Sequence, residues 1–274
     1  MKLHFPTLAV LSLAAAASVS ADGATGAKWG YKEQDDSVSP VVLSPENWGQ
    51  GYPTCDGKRQ SPIDIDAVKN CKVKEDAPLS FSGDCSSYGL QALEDTFKWT
   101  AANTTTCKVH KGDKTFSLLQ FHMHMPSEHT INGKNLAGEA HFVHQEDGGS
   151  NLLVIGMFID KANTKLKGSE NQHPWIDTVW NTLGDVDQTV EVNHSYADLL
   201  KDKMDEGNVF NYPGSLTTPP CSEIVDWWVV KSPLRVSSDS LASFKEKLAT
   251  LEATDEGEGA RPVQPLNGRV VTTY

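Results

Sequence analysis

The chain has 274 residues and a formal net charge of −12, from 36 acidic and 24 basic side chains. That acidic balance argues against nucleic acid or an anionic membrane surface as a partner. No Pro/Gly/Ser-rich linker and no internal repeat divides the chain, and roughly 250 residues still fit one domain when the fold is rich in strands.

Met1–Ala21 has a basic start at Lys2, an apolar core over Leu8–Ala17, and Val19-Ser20-Ala21 with small residues where a signal peptidase reads. This predicts a secretory signal over 1–21 and a folded domain over 22–274. The apolar run is short of the about 20 residues a spanning helix needs, and no later stretch predicts a membrane span. All five cysteines, Cys55, Cys71, Cys85, Cys107 and Cys221, follow the signal. An oxidising compartment favours pairing, and an odd count leaves one over. No C-x-x-C occurs, which argues against a thiolate metal site. Asn103-Thr104-Thr105 and Asn193-His194-Ser195 are glycosylation sequons if the host is eukaryotic. The expected location is extracellular, or periplasmic in a bacterium.

Trp29-Gly30-Tyr31 and Trp48-Gly49 precede Gln60-Ser61-Pro62-Ile63-Asp64-Ile65, where Ile63 and Ile65 suit a buried strand and Gln60 and Ser61 suit polar packing in the core. Short strands and turns are expected from Leu79 to Leu119. Thr115–Met125 reads as a strand closed by Pro126, Asn132-Gly133-Lys134 as a turn, and Glu139–Val143 as a second strand. Asn151–Ile159 is apolar on both faces, as a central buried strand is. Helical spacing covers Pro174–Leu183, Tyr196–Met204 and Asp239–Leu251, the last with Ser238 or Ser240 as cap. Ile224–Val230 reads as a further strand. The pattern is mostly β, an α+β single domain with many strands and about three short helices.

Six of the nine histidines lie between His110 and His144. Side chains two apart in a strand share a face, so His122 and His124 point the same way. Glu139 and His141 repeat that spacing in the next strand. Two adjacent antiparallel strands then bring His122, His124 and His141 toward one point. Three neutral imidazoles with one open position make a catalytic zinc site. Taken alone, a His-x-His pair is more often two hydrogen-bonded polar side chains. Gln120 and Glu139 weigh against that, because each stands two residues from a ligand, where a metal-bound imidazole finds the acceptor for its other N–H.

Tyr212-Pro213-Gly214-Ser215-Leu216-Thr217-Thr218-Pro219-Pro220-Cys221-Ser222-Glu223 is a loop bracketed by glycine and prolines. By itself it reads first as a structural turn feeding a strand. Its two threonines also suit a rigid hydroxyl that donates to a carboxylate while accepting from a second donor.

With both stretches in view, the chain resembles the α-class carbonic anhydrases from Trp29 to about Val271. The resemblance is carried by Gln60-Ser61-Pro62-Ile63-Asp64, Gln120-Phe121-His122-Met123-His124, Ser127-Glu128-His129-Thr130, Glu139-Ala140-His141 and Tyr212–Pro220, in the family's order. This family is itself the standard example of a three-histidine zinc site, so the fit to that chemistry is not independent. The resemblance implies a large twisted, mainly antiparallel central sheet with short peripheral helices. It implies reversible hydration of carbon dioxide by attack of zinc-bound hydroxide. His122, His124 and His141 match the Zn2+ ligands, and Gln120 and Glu139 the partners of His122 and His141. Thr217 matches the hydroxyl that orients the hydroxide, and Glu128 the carboxylate that takes the threonine proton. Val143, Val154, Leu216, Val225 and Trp227 match the apolar wall for carbon dioxide. Thr217 and Thr218 match contacts to bicarbonate, and Tyr31 a tyrosine of the solvent network. Cys55 and Cys221 match a disulfide holding the threonine loop. Sulfonamides and small anions are the inhibitors the resemblance implies.

Two departures stand out. The fastest members carry a shuttle histidine where the register here places Asp95, in Leu93-Glu94-Asp95-Thr96-Phe97, and no histidine lies between His4 and His110. An aspartate with a pKa near 4 is poorly matched to a donor near 7, so buffer-assisted proton transfer is expected. Met125-Pro126 stands where many members have Trp-Gly. Cys85 and Cys107 form a second candidate bridge, leaving Cys71. His129 and His144 read as structural, and His110, His173 and His194 as ordinary exposed or loop histidines. Two other readings stay open: a zinc-dependent esterase, and a catalytically weak secreted binding module on the same fold. Dead members lose zinc histidines, whereas this chain keeps all three.

Overall fold

A computed structural model of the chain describes residues 27–37, 39–65, 71–73, 79–162, 173–205 and 209–274. The expected signal over 1–21 lies outside them, as does the side chain of Cys71. One twelve-stranded sheet organises the rest. Its strands are β1 Cys71–Val73, β2 Leu79–Ser82, β3 Ser87–Ala92, β4 Phe97–Ala101, β5 Lys108–Lys111 and β6 Lys114–His124, followed by β7 Gly138–Glu146, β8 Leu152–Lys161, β9 Thr189–Glu191, β10 Val209–Gly214, β11 Val225–Val236 and β12 Val271–Thr273. The order across the sheet is β9-β3-β4-β6-β7-β8-β11-β10-β12-β1, with β5 pairing to β2 and β6 off this path. Only β8–β11 and β12–β1 are parallel, so the sheet is mainly antiparallel as expected.

Strand β8 explains its own composition. Leu153, Ile155, Met157 and Ile159 enter one hydrophobic core, while Val154 and Phe158 enter a second on the opposite face. A strand covered on both sides has no polar face to show. The first core takes Trp99, Phe121 and Phe142 from the strands and is roofed by helices α1 Pro174–Asn181, α2 Tyr196–Asp205 and α3 Ser238–Leu248. The α3 cap is Ser237, whose hydroxyl accepts from the Ser240 amide at 3.0 Å, in place of the expected Ser238 or Ser240. The helix starts one residue earlier and ends three residues before the expected Leu251, in a turn over 249–250.

Strand β6 holds a feature that aims the site. Phe116 and Leu118 point into the first core, and so do Phe121 and Met123, so the inward parity changes between Leu118 and Phe121. The pairing with β7 shifts at the same place: Val143 faces Gln120, but His144 faces Leu118. Leu119 is the extra residue of a β-bulge, which flips every later side chain to the other face. Gln120, His122 and His124 thereby leave the apolar core and face the second side of the sheet.

Candidate metal centre

Strands β6 and β7 are antiparallel, with His141 opposite His122 and Glu139 opposite His124. Residues opposite one another across such a pair project to one face. The ring centroids are 5.0 Å apart for His122 and His124, 5.3 Å for His122 and His141, and 4.8 Å for His124 and His141. Their candidate ligand nitrogens lie within 4.8 Å of one another. His124 and His141 are buried, and His122 is half-buried.

The outer nitrogens decide the tautomers. His122 Nδ1–H donates to Gln120 Oε1 at 2.9 Å, His124 Nδ1–H to the Gly259 carbonyl at 2.7 Å, and His141 Nε2–H to Glu139 Oε1 at 3.0 Å. Each of these partners is an oxygen acceptor, so the ring nitrogen facing it carries the proton. That leaves lone pairs on His122 Nε2, His124 Nε2 and His141 Nδ1. Removal from water pushes the His122 imidazole well below its ordinary pKa, reinforced by His124, His141 and Lys98. Burial pushes His141 down as well, against the pull of Glu139. Both rings are therefore neutral at pH 7, as metal ligands must be. His124 Nε2 is a buried lone pair with no hydrogen-bond partner, which a divalent ion would satisfy. The donor set of three imidazoles and no thiolate suits zinc.

Glu139 is fully buried and accepts four bonds. Besides His141 it takes His129 Nδ1–H at 2.7 Å, the Glu128 amide at 3.0 Å and the His129 amide at 2.8 Å. Burial alone would raise its pKa, but the His129 and His141 rings outweigh that and hold the carboxyl well below its usual range. Gly156 makes the room: a Cβ there would stand 2.7 Å from Glu139 Oε1. Its absence of a side chain, unexplained by the apolar pattern of β8, has this reason. His129, Glu139 and His141 also cluster closely enough for a metal. There, however, His129 Nε2 is engaged with the Tyr212 hydroxyl at 2.6 Å, and the facing atoms of Glu139 and both rings are bonded to each other. That group is a hydrogen-bond network. It runs on from Tyr212 to Ser61 Oγ at 2.9 Å and to the Ser215 amide at 3.1 Å, next to Leu216-Thr217.

The loop residues sit as follows. Cys55 and Cys221 are bonded, and so are Cys85 and Cys107. Arg261 donates through Nη2 to the Cys55 carbonyl at 3.0 Å and through its amide to Glu128 Oε1 at 3.0 Å, joining the threonine loop to the carboxylate. Thr217 is buried and Thr218 half-buried. No hydrogen bond joins Thr217 to Glu128; Glu128 Oε2 has no hydrogen-bond partner and lies 3.5 Å from His124 Nε2. Val143, Val154, Val225 and Trp227 share the second core, with Leu216 packed against it. Val143 faces Val154 across β7–β8, and Val154 faces Trp227 across β8–β11.

A model of the eukaryotic-type carbonic anhydrase family matches residues 43–274. The chain belongs to that family. A carbonic anhydrase of Klebsiella pneumoniae is 37% identical over 240 residues, covering 83% of this chain and 87% of the relative. The α-carbonic anhydrase of Thermovibrio ammonificans, solved with the inhibitor sulfanilamide, superposes with a TM-score of 0.70 at 34% identity, over 90% of this chain and 99% of that one. Dioscorin in complex with ascorbate, at 21% identity and a TM-score of 0.72, shares the fold. As a carbonic anhydrase the chain is an enzyme, and hydration of carbon dioxide is general to its family.

Other histidines differ from expectation in part. His129 and His144 are buried and hydrogen-bonded, as structural residues are. His110 is a strand residue between Ser82 and Thr115, not an exposed one, and His173 caps α1 by accepting from the Trp175 amide. Asp95 is half-buried, and that burial pushes its carboxyl above its ordinary pKa, where an ordinary value was expected. Tyr31 Oη is buried without a partner, and its phenol is held well above its ordinary pKa by burial and by the Glu128 and Asp95 charges. The carbonyl of Gly259 had no sequence signal as a partner of His124, being a backbone group 135 residues away.

Proposed function

We propose that this carbonic anhydrase catalyses zinc-dependent, reversible hydration of carbon dioxide to bicarbonate and a proton, with His122, His124 and His141 as the metal ligands. The observation that carries it is the set of three bare imidazole lone pairs, each fixed by an oxygen acceptor behind it. Bound there, a zinc ion supplies Lewis acidity that makes water a nucleophile near pH 7, a property for which carbonic anhydrases are the reference case. The wall of Val143, Val154, Leu216, Val225 and Trp227 offers carbon dioxide a place free of competing hydrogen bonds. It excludes water and cannot hold the charged product. In this reading the Thr217 hydroxyl would donate to Glu128, a bond that this structure does not make. The unpartnered Glu128 Oε2 supports this reading, since a buried carboxylate oxygen calls for a donor. With its own proton committed, Thr217 Oγ1 would only accept, and so would fix the orientation of an O–H presented to it beside the three histidines. The Thr217 amide and Thr218 then hold the bicarbonate anion.

The proton leaves through buffer, because Asp95 stands at the position of the family's histidine relay. We also read the chain as exported, with residues 1–21 removed. Two disulfides among the described residues suit an oxidising compartment. The complex formed by the Thermovibrio relative makes sulfonamide binding the expectation here. Stopped-flow hydration of carbon dioxide tests the proposal. Activity is expected to vanish on chelation, return with zinc, and be inhibited by sulfanilamide. Protein holding one zinc per chain yet hydrating carbon dioxide no faster than buffer would overturn it.

A further inference from the structure

Strand β4 borders the metal-bearing strand β6 on the side away from β7, with Lys98 directly opposite His122 and Thr100 opposite Gln120. Phe97, Trp99 and Ala101 fill the first core, so the intervening Lys98 and Thr100 project to the face that carries the histidines. Lys98 is half-buried there. Lysines on β5 and at the far end of β6 are committed to carboxylates: Lys108 to Asp147, Lys111 to Asp226 and Lys114 to Glu146. Among the described residues Lys98 makes no ion pair.

We propose that Lys98 is a specificity residue of this enzyme, the cation that draws bicarbonate and other small inorganic anions to the metal cleft. This rests on the function proposed above. The chemistry calls for such a group. One substrate of the reversible reaction is uncharged, while the other is an anion that must enter and leave a protein of charge −12. The Glu128 carboxyl stands 3.5 Å from His124 Nε2, on the path of an incoming anion. A lysine on the same face offsets that repulsion and exerts little force on carbon dioxide. A unit charge about 7 Å from a bound monovalent anion, at an effective permittivity of about 40, changes its affinity by roughly five- to tenfold.

The fixed equilibrium between carbon dioxide and bicarbonate forces kcat/KM in the two directions to change together, so the discriminating readout is equilibrium affinity. The probes are thiocyanate, titrated calorimetrically into the zinc-loaded enzyme, and bicarbonate, measured as product inhibition of hydration. Lys98→Gln is expected to weaken both by roughly five- to tenfold. Lys98→Glu weakens them further, and Lys98→Arg restores them. Wild-type affinity falls more steeply with ionic strength than that of Lys98→Gln. Affinities equal within about twofold across the series, at ranges where charge must register, overturn the assignment. So does a loss in Lys98→Gln that Lys98→Arg does not restore, which marks packing and not charge. An active Lys98→Gln enzyme with unchanged anion affinity removes this inference alone, whereas a zinc-loaded wild type without hydration activity removes the function beneath it.

Discussion

Replacing Glu139 by glutamine probes the centre through a residue that touches no substrate. The carboxylate accepts four buried N–H groups, two through each oxygen. A glutamine fills the same volume but keeps one acceptor oxygen, and its amide nitrogen confronts the other two donors. Each buried donor left unmatched costs about 1–3 kcal/mol, so the loss is about 2–6 kcal/mol of folding stability. For a chain of this size each kcal/mol moves Tm by about 2–4 °C, which sets the expected fall at roughly 4–24 °C. His141 also loses the charged acceptor that fixes its Nδ1 lone pair. Zinc affinity is therefore expected to drop about 10- to 100-fold, equivalent to about 1.4–2.7 kcal/mol. Chelator competition gives the affinity, and thermal unfolding with and without zinc gives both effects on one sample. Zinc affinity within about threefold of wild type, against the expected loss of at least tenfold, would refute the claim that Glu139 orients His141.

Two further outcomes are expected. Burial drives the pKa of His144 down to about 4, while in the unfolded chain it titrates near 6.5. The unfolded state binds more protons between these values, so stability falls as pH drops from about 6.5 to 4, by about 3 kcal/mol through this residue. Urea unfolding of His144→Gln should show a flatter profile in that window, and an equally steep one would contradict the assignment. Asp95→His should raise the hydration rate severalfold at low buffer concentration and blunt its dependence on added imidazole; a wild-type rate already insensitive to imidazole would count against buffer-assisted proton transfer.

The clustering of His122, His124 and His141 was legible because period-two spacing is a property of single strands. His122 and His124 share a face wherever the strand lies, and Glu139 with His141 likewise. The side of the sheet they face was not legible, because that depends on the bulge at Leu119. The phase slip from Phe116 and Leu118 to Phe121 and Met123 was the available signal. Gly156 shows a similar limit: its neighbour-free side matters only once β8 lies against Glu139. The Ser237 cap was missed by one residue among four candidate positions in Ser237-Ser238-Asp239-Ser240, where every residue is a competent cap by type. Backbone partners such as the Gly259 carbonyl leave no mark in the sequence at all, since any residue supplies one. The parallel pairing of β8 with β11 likewise depends on how distant segments meet in the folded chain.

The central claim is that three imidazoles from β6 and β7 close on a single divalent ion. Metal analysis of purified, dialysed protein measures this most directly. The account predicts one zinc per chain in the wild type and loss of that ion in His141→Ala while the chain stays folded. Wild-type protein that retains no zinc, or a His141→Ala variant that binds it as tightly, would contradict it.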